Sequence, residues 1–169
     1  MNKQQLNRVI DKARYLCKRS GTRLTEKRRG VLEALLVSKI PLSAYEITDV
    51  INQADNKSIL AMSVYRILEF LKSENLVHKL SSTNKYVACS HITCGHNHEI
   101  PQFLICGKCQ ATKEIACGGC KDEQEISISK SVIDELSKLV SKAGYTLTNS
   151  QLELRVLCND CSTSTAELF

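Results

Sequence analysis

Three CxxC pairs constrain this chain more than any other feature: Cys106/Cys109, Cys117/Cys120 and Cys158/Cys161. A CxxC turn aims two thiolates at one ion, and two such turns complete a tetrahedral zinc site. The start of the chain, MNKQQLNRVIDKARYLCKRS, lacks the apolar segment of a secretion signal. Its Leu6, Val9, Ala13 and Leu16 follow helical spacing instead, so a cytosolic (cytoplasmic) location is expected. In a reducing compartment cysteine pairs read as metal ligands rather than disulfides, and the odd count of 9 does not close a disulfide set. No run of 18 apolar residues exists, so no membrane span is expected.

The spacing leaves the pairing open. Cys106/Cys109 with Cys117/Cys120 would form a short local knuckle. Cys106/Cys109 with Cys158/Cys161 would staple the two ends of the C-terminal half. The staple is favoured, because both of its pairs sit at the ends of expected strands and it braces a thin core. Cys117/Cys120 would then be a spare dithiol or a secondary metal site. A thioredoxin-type redox pair would open a helix after a strand, whereas Cys106/Cys109 is followed by another expected strand.

A second constellation runs from His78 to Glu114. It holds all 4 histidines and 4 of the 9 cysteines. His78, Cys89, His91, Cys94, His96, His98 and Glu114 mix nitrogen, sulfur and oxygen donors. Such a site is weaker and more exchangeable than four thiolates, and its sulfur leans it towards zinc rather than ferrous iron. Taken singly, His78 is a surface strand residue and Cys89 a small buried one. Gathered where one domain gives way to another, they suggest a metal joining two modules.

Charge divides at the same place. Residues 1–90 carry 16 Lys+Arg against 8 Asp+Glu, and residues 91–169 carry 7 against 10. A basic half beside a mildly acidic one suggests that one module meets a polyanion. Within the basic half, Thr25 reads as an N-cap before a helix with Val31, Leu32, Leu35 and Leu36 on one face. Arg23, Lys27, Arg28 and Arg29 cluster at that helix start, where backbone amides also favour phosphate. Ser43 and Glu46 form a capping box and Leu42 with Ile47 a hydrophobic staple. Ile47, Val50, Ile51 and Ala54 are expected to be buried, and Asp55-Asn56-Lys57 to end the helix. A fourth helix from Ser63 turns Val64, Ile67, Leu68 and Leu71 inward and leaves Tyr65, Arg66 and Glu69 outward. Two short helices joined by a loop, the second presenting Arg66 and Tyr65, suggest a helix-turn-helix. Arg66 can reach guanine O6 and N7 with two hydrogen bonds. An ordinary helical hairpin with a solvated arginine is the competing reading.

After Asn75 the period changes to that of strands. Leu76–Leu80 and Lys85–Cys89 flank a polar tip, as in a wing that touches backbone phosphate. Residues 90–102 read as a hinge loop, and residues 103–169 as a second domain. That domain has strands at 103–106 and 111–116 and a helix capped by Ser129. The helix carries Val132, Ile133, Leu136, Leu139, Val140 and Ala143 on one face and ends at Gly144. A half-exposed strand with Leu152, Leu154 and Val156 follows, and STSTAELF forms a loose tail. The expected class is α+β: a winged helix-turn-helix over residues 1–89, then a C-terminal α/β domain. No paired carboxylates or Ser/His arrangement is placed for catalysis, so neither an enzyme nor a small-molecule substrate is expected.

The RLTxxR stretch, the SAYE and SVYRILEFL helices, the VHKLSSTNKYVAC wing, FLICGKCQATKE and the closing LCNDC together resemble the Fur family. Within it they look most like the zinc uptake regulator branch. The resemblance covers nearly the whole chain in order. It implies a homodimeric repressor with a C-terminal dimerisation domain, zinc as co-repressor, and a palindromic DNA operator near zinc-import genes. It also implies that Tyr45 and Arg66 read bases. By the same resemblance Cys106, Cys109, Cys158 and Cys161 hold a structural zinc. His78, Cys89, a loop histidine and Glu114 hold a regulatory one, giving two Zn2+ per subunit. The loop histidine is taken as His98, the nearer in spacing, with His96 as the alternative. Glu26 stands where many relatives have proline, and Cys94, Cys117 and Cys120 lie outside the family pattern. HNHEIPQ replaces the HHDH run of the iron-sensing branch, which with Cys89 favours zinc. An iron- or peroxide-responsive relative is the alternative, and a zinc-stabilised binding module without a DNA role is a further one.

Overall fold

A computed structural model describes residues 1–54, 58–93, 101–115, 130–146 and 151–163. The chain divides into two compact units, Met1–Gly95 and His96–Phe169.

The first unit is a winged helix. Helices α1 (Lys3–Arg19), α2 (Glu26–Val37), α3 (Ala44–Ala54) and α4 (Ala61–Ser73) precede the hairpin β1 (Val77–Leu80) and β2 (Lys85–Ala88). Each helix start has a physical reason. Asn2 and Gln5 form a reciprocal capping box on α1, and the Thr25 side chain accepts from the Arg28 amide on α2. On α3 the Ser43 hydroxyl accepts from Glu46 N (3.2 Å) while the Glu46 carboxylate accepts from Ser43 N (2.6 Å). Gly21 (φ +77°) sits in the left-handed region just beyond α1, where a Cβ would be strained.

The core is aliphatic and continuous. It joins Ile10, Ala13 and Cys17 of α1, Val31, Leu32 and Leu35 of α2, Ile47 of α3, and Val64, Leu68 and Leu71 of α4 to Tyr86 of β2. Cys17 is thus a buried packing residue. Leu42 and Tyr86 exchange both backbone hydrogen bonds (3.0 and 2.8 Å), so a single residue before α3 acts as a third strand against the wing.

Two expectations fail, one on α3 and one on α4. Val50 and Ala54 are exposed and Ile51 is half-buried, so α3 packs mainly through Ala44 and Ile47 at its N-terminal end. Helix α4 starts at Ala61 rather than Ser63, and Tyr65 is half-buried rather than outward. The expected break at residues 55–57 lies outside the described residues.

The second unit has β3 (Gln102–Cys106), β4 (Thr112–Ile115), α5 (Lys130–Lys142), β5 (Leu152–Val156) and α6 (Asn159–Thr163). Its sheet runs β4-β3-β5, with β3 antiparallel to β4 and parallel to β5. Central β3 buries Phe103, Ile105 and Cys106. Ser162 and Thr163, expected to begin a loose tail, close the short helix Asn159–Thr163, and the rest of that tail lies outside the described residues. Gly144 (φ +83°) follows the end of α5, as expected. Of the apolar residues expected on one face of α5, only Ile133 is buried among those described. Val132, Leu136 and Leu139 are exposed, as is Leu154 of β5. The Ser129 cap lies outside the described residues.

Candidate metal centre and nucleic-acid interface

The parallel pairing of β3 with β5 explains how two distant CxxC pairs meet. Cys106 is in register with Val156, so both strands end on the same side of the sheet. After β3 the chain makes a tight turn in which Cys106 N donates to Ala111 O and Gln110 N to Cys106 O. Gly107 N donates to Val156 O at 2.9 Å, locking this turn to the end of β5. Cys158 follows at once, and Cys161 lies within α6.

The ligand sulfurs of Cys106, Cys109, Cys158 and Cys161 all lie within 4.8 Å of one another, with Cys109 and Cys158 Sγ 3.7 Å apart. A tetrahedral zinc with bonds of about 2.3 Å requires sulfur–sulfur edges of about 3.8 Å. The cluster fits that ion, and none of the four forms a disulfide. Its electrostatics fit too. Backbone amides of Cys109, Cys158 and Lys108 stabilise a Cys106 thiolate, lowering its pKa to about 6. Contact with the Cys158 thiol, together with burial, pushes Cys161 up to about 12. Four thiols this close cannot all ionise alone, and a divalent cation removes that conflict.

In the first unit His78 lies on β1 and Cys89 directly after β2, where Cys89 N donates to Leu76 O (3.0 Å) and extends the ladder. Both side chains are buried, and their ligand atoms lie within 4.8 Å of each other. His91 is also buried, its Nδ1 sharing a hydrogen bond with the Ser90 hydroxyl (3.1 Å). In the second unit Glu114 lies on β4, half-buried and opposite Phe103. Cys94, His96, His98, Cys117 and Cys120 lie outside the described residues.

The basic face sorts into free and engaged groups. Arg66 on α4 is exposed, and so are Arg23, Lys27 and Tyr45. Tyr45 and Tyr65 meet edge to face with centroids 6.1 Å apart, so Tyr65 braces Tyr45 rather than standing clear. The Arg28 guanidinium lies 3.4 Å from the Phe70 ring centre and donates to Arg23 O at 2.6 Å, which ties α2 to α4. Arg29 pairs with Glu33 (2.7 Å) and, more distantly, with Glu26 (3.8 Å). Lys85, at the start of β2 beside the wing tip, pairs with Glu46 at 2.9 Å.

Sequence reasoning missed one positioning residue. Asn52 near the end of α3 brackets the Ile59 backbone, accepting from its N–H (2.8 Å) and donating to its carbonyl (3.2 Å). This clamp fixes the approach to α4. An asparagine inside an amphipathic helix competes for backbone partners, which was the available hint.

The Ferric uptake regulator family model matches residues 19–155. The zinc uptake regulation protein of Escherichia coli K12 is 31% identical over 161 residues, covering 95% of this chain and 85% of that protein. The ferric uptake regulation protein of Helicobacter pylori 26695 is 27% identical over 161 residues, covering 95% and 96%. Among solved structures, a zinc uptake regulator complexed with zinc and DNA superposes with a TM-score of 0.76 at 28% identity, covering 95% of this chain and 97% of that one. Holo XcZur superposes with a TM-score of 0.69 at 29% identity, covering 91% and 96%. With a family model spanning most of its length and a relative matched over nearly all of it, the chain belongs to the ferric uptake regulator (Fur) family.

Proposed function

We propose that this chain is a zinc-responsive transcriptional repressor that binds palindromic operators of zinc-uptake genes as a zinc-loaded homodimer. The observation that carries this reading is the closed four-thiol cluster in a chain whose fold matches a regulator complexed with zinc and DNA. It is a DNA-binding regulator, not an enzyme. No described helix is long and apolar enough to cross a membrane.

Two zinc ions per subunit are proposed. Cys106, Cys109, Cys158 and Cys161 hold the structural one, whose chemistry is to neutralise thiolates and brace a small unit. His78, Cys89, Glu114 and a loop histidine (His98, alternatively His96) hold the regulatory one. Its mixed donors make it the exchangeable site, and the buried Cys89 thiol favours zinc over ferrous iron. Because those ligands come from both units, zinc occupancy can bias which arrangements of the DNA-binding units are populated. In the competent form two α4 helices enter major grooves about 34 Å apart. Arg66 and Tyr45 read base edges, Tyr65 supports Tyr45, and Arg23 and Lys27 meet phosphate, with Arg28 holding the end of α2 in place. The exposed Val132, Leu136, Leu139 and Leu154 supply apolar surface for the second protomer.

The test is fluorescence anisotropy on a duplex enriched by the zinc-loaded protein from a random pool. Removing exchangeable zinc should abolish selective binding while one tightly held zinc per subunit remains, and Cys89→Ser should mimic that removal. Equal selectivity with only the thiolate-held zinc present would overturn the regulatory site. Ferrous iron restoring binding in zinc's place would favour the iron-responsive alternative.

A further inference from the structure

The first turn of α4 carries an anomaly. Leu60, at its N-cap, is 71% exposed and Met62 is 66% exposed, although α4 buries Val64, Ile67, Leu68 and Leu71. Leu60 provides no side-chain cap. Single exposed apolar residues are ordinary. Met62 is not placed at random, however, because it precedes Arg66 by four residues. A helix returns to the same face after four residues, with an axial rise of about 6 Å. Met62 therefore stands one turn before Arg66 on the face that carries the exposed arginine. Tyr65, on the adjoining row, holds Tyr45 edge-on, and Tyr45 is itself 64% exposed.

We infer that Met62 is a specificity-determining residue that packs on the C5-methyl group of a thymine in the major groove. The inference rests on the reading of α4 as the recognition helix. The first turns of such a helix face base edges, and thymine alone among the four bases offers an apolar group there. A rise of about 6 Å corresponds to about two base-pair steps, so the thymine lies within about two pairs of the guanine that Arg66 reads. Methionine suits the task. It is unbranched, polarisable and able to follow a methyl group through several rotamers. The net positive charge of residues 1–90 makes a polyanion the occupant of this surface, rather than an apolar partner.

The experiment uses the full chain loaded with zinc and duplexes enriched by the wild-type protein from a random pool. Each thymine is replaced in turn by deoxyuridine, which removes only the methyl group. Affinity is compared for wild type, Met62→Ala, Met62→Leu and Arg66→Ala. One thymine per half-site should cost the wild type about three- to five-fold on replacement, the scale of one buried methyl group. Met62→Ala should lose a similar factor on the thymine duplex and show no further loss on deoxyuridine. Met62→Leu should recover most of the discrimination. Because Met62 is largely exposed, its variants should keep the wild-type melting temperature. Wild-type indifference to deoxyuridine at every thymine, or an undiminished penalty in Met62→Ala, overturns the inference while leaving the regulator reading intact. Failure of the zinc-loaded protein to enrich any duplex overturns both.

Discussion

Glu46 joins two parts of the DNA-binding unit, and its charge can be removed almost without changing its shape. One carboxylate oxygen closes the capping box of α3 by accepting from Ser43 N, and the other accepts from Lys85 Nζ on β2 at 2.9 Å. The Lys85 bond foremost, and then the Ser43 amide, hold its pKa at about 2 against an ordinary 4.5. Glu46→Gln retains an oxygen for Ser43 N but loses the ion pair. Converted in full, that displacement would correspond to about 3 kcal/mol. The Glu46 side chain is 43% exposed, though, and solvent screens the pair, so about 1 kcal/mol is expected. The sign is fixed by linkage. A depressed carboxylate pKa stabilises the fold fully above about pH 4.5 and loses that stabilisation as pH falls towards 2. Urea unfolding of wild type and Glu46→Gln from pH 7 to pH 3 measures the difference directly, and effects of acid on the thiolates are common to both proteins. Lys85→Met should cost a similar amount at pH 7, and the double variant should add little to either single one. Equal stability of wild type and Glu46→Gln at pH 7, or a difference that does not shrink on acidification, would show that the wing is not held to α3 by this pair.

Four further outcomes concern other residues of the chain. Asn52→Ala should destabilise the first unit by about 1–2 kcal/mol, because it removes both hydrogen bonds to Ile59; thermal unfolding checks this, and Asn52→Asp, which keeps only the acceptor, should fall between. Arg28→Lys should lower stability by about 1 kcal/mol through loss of the stack on Phe70 yet leave the salt dependence of DNA binding nearly unchanged. Arg23→Ala and Lys27→Ala should do the reverse, each reducing the slope of log affinity against log salt by about one. Cys158→Ser should remove the tightly held zinc, measured as metal retained after chelation, and a full complement of zinc in that variant would exclude the four-thiol site.

Legibility in the sequence depended on whether a feature was local. The capping box of α3 and the buried stripe of α4 are set by residues three or four apart, and Ser43 and Val64 were readable one by one. The junction of Cys106/Cys109 with Cys158/Cys161 spans a sequence separation of about fifty residues. Spacing could favour it over the local knuckle, but only the parallel register of β3 on β5 brings the two strand ends together, and register is a tertiary property. Errors arose where a pattern was assumed to mean burial within one chain. Val50 lies on the apolar side of α3 yet is exposed, because the core meets that helix chiefly through Ala44 and Ile47, with Ile51 only partly buried against it. Val132 and Leu139 have the spacing of a core stripe but are solvated in a single protomer, which a surface reserved for a second copy would explain. Charge misled in the opposite way. Arg23, Lys27, Arg28, Arg29 and Lys85 look equivalent in sequence, yet Phe70, Glu33 and Glu46 engage three of them and leave Arg23 and Lys27 exposed. The count of basic residues therefore overstates the electrostatic footprint. The salt slope of DNA binding should report the cations left exposed on the folded unit rather than the 16 Lys+Arg written in residues 1–90.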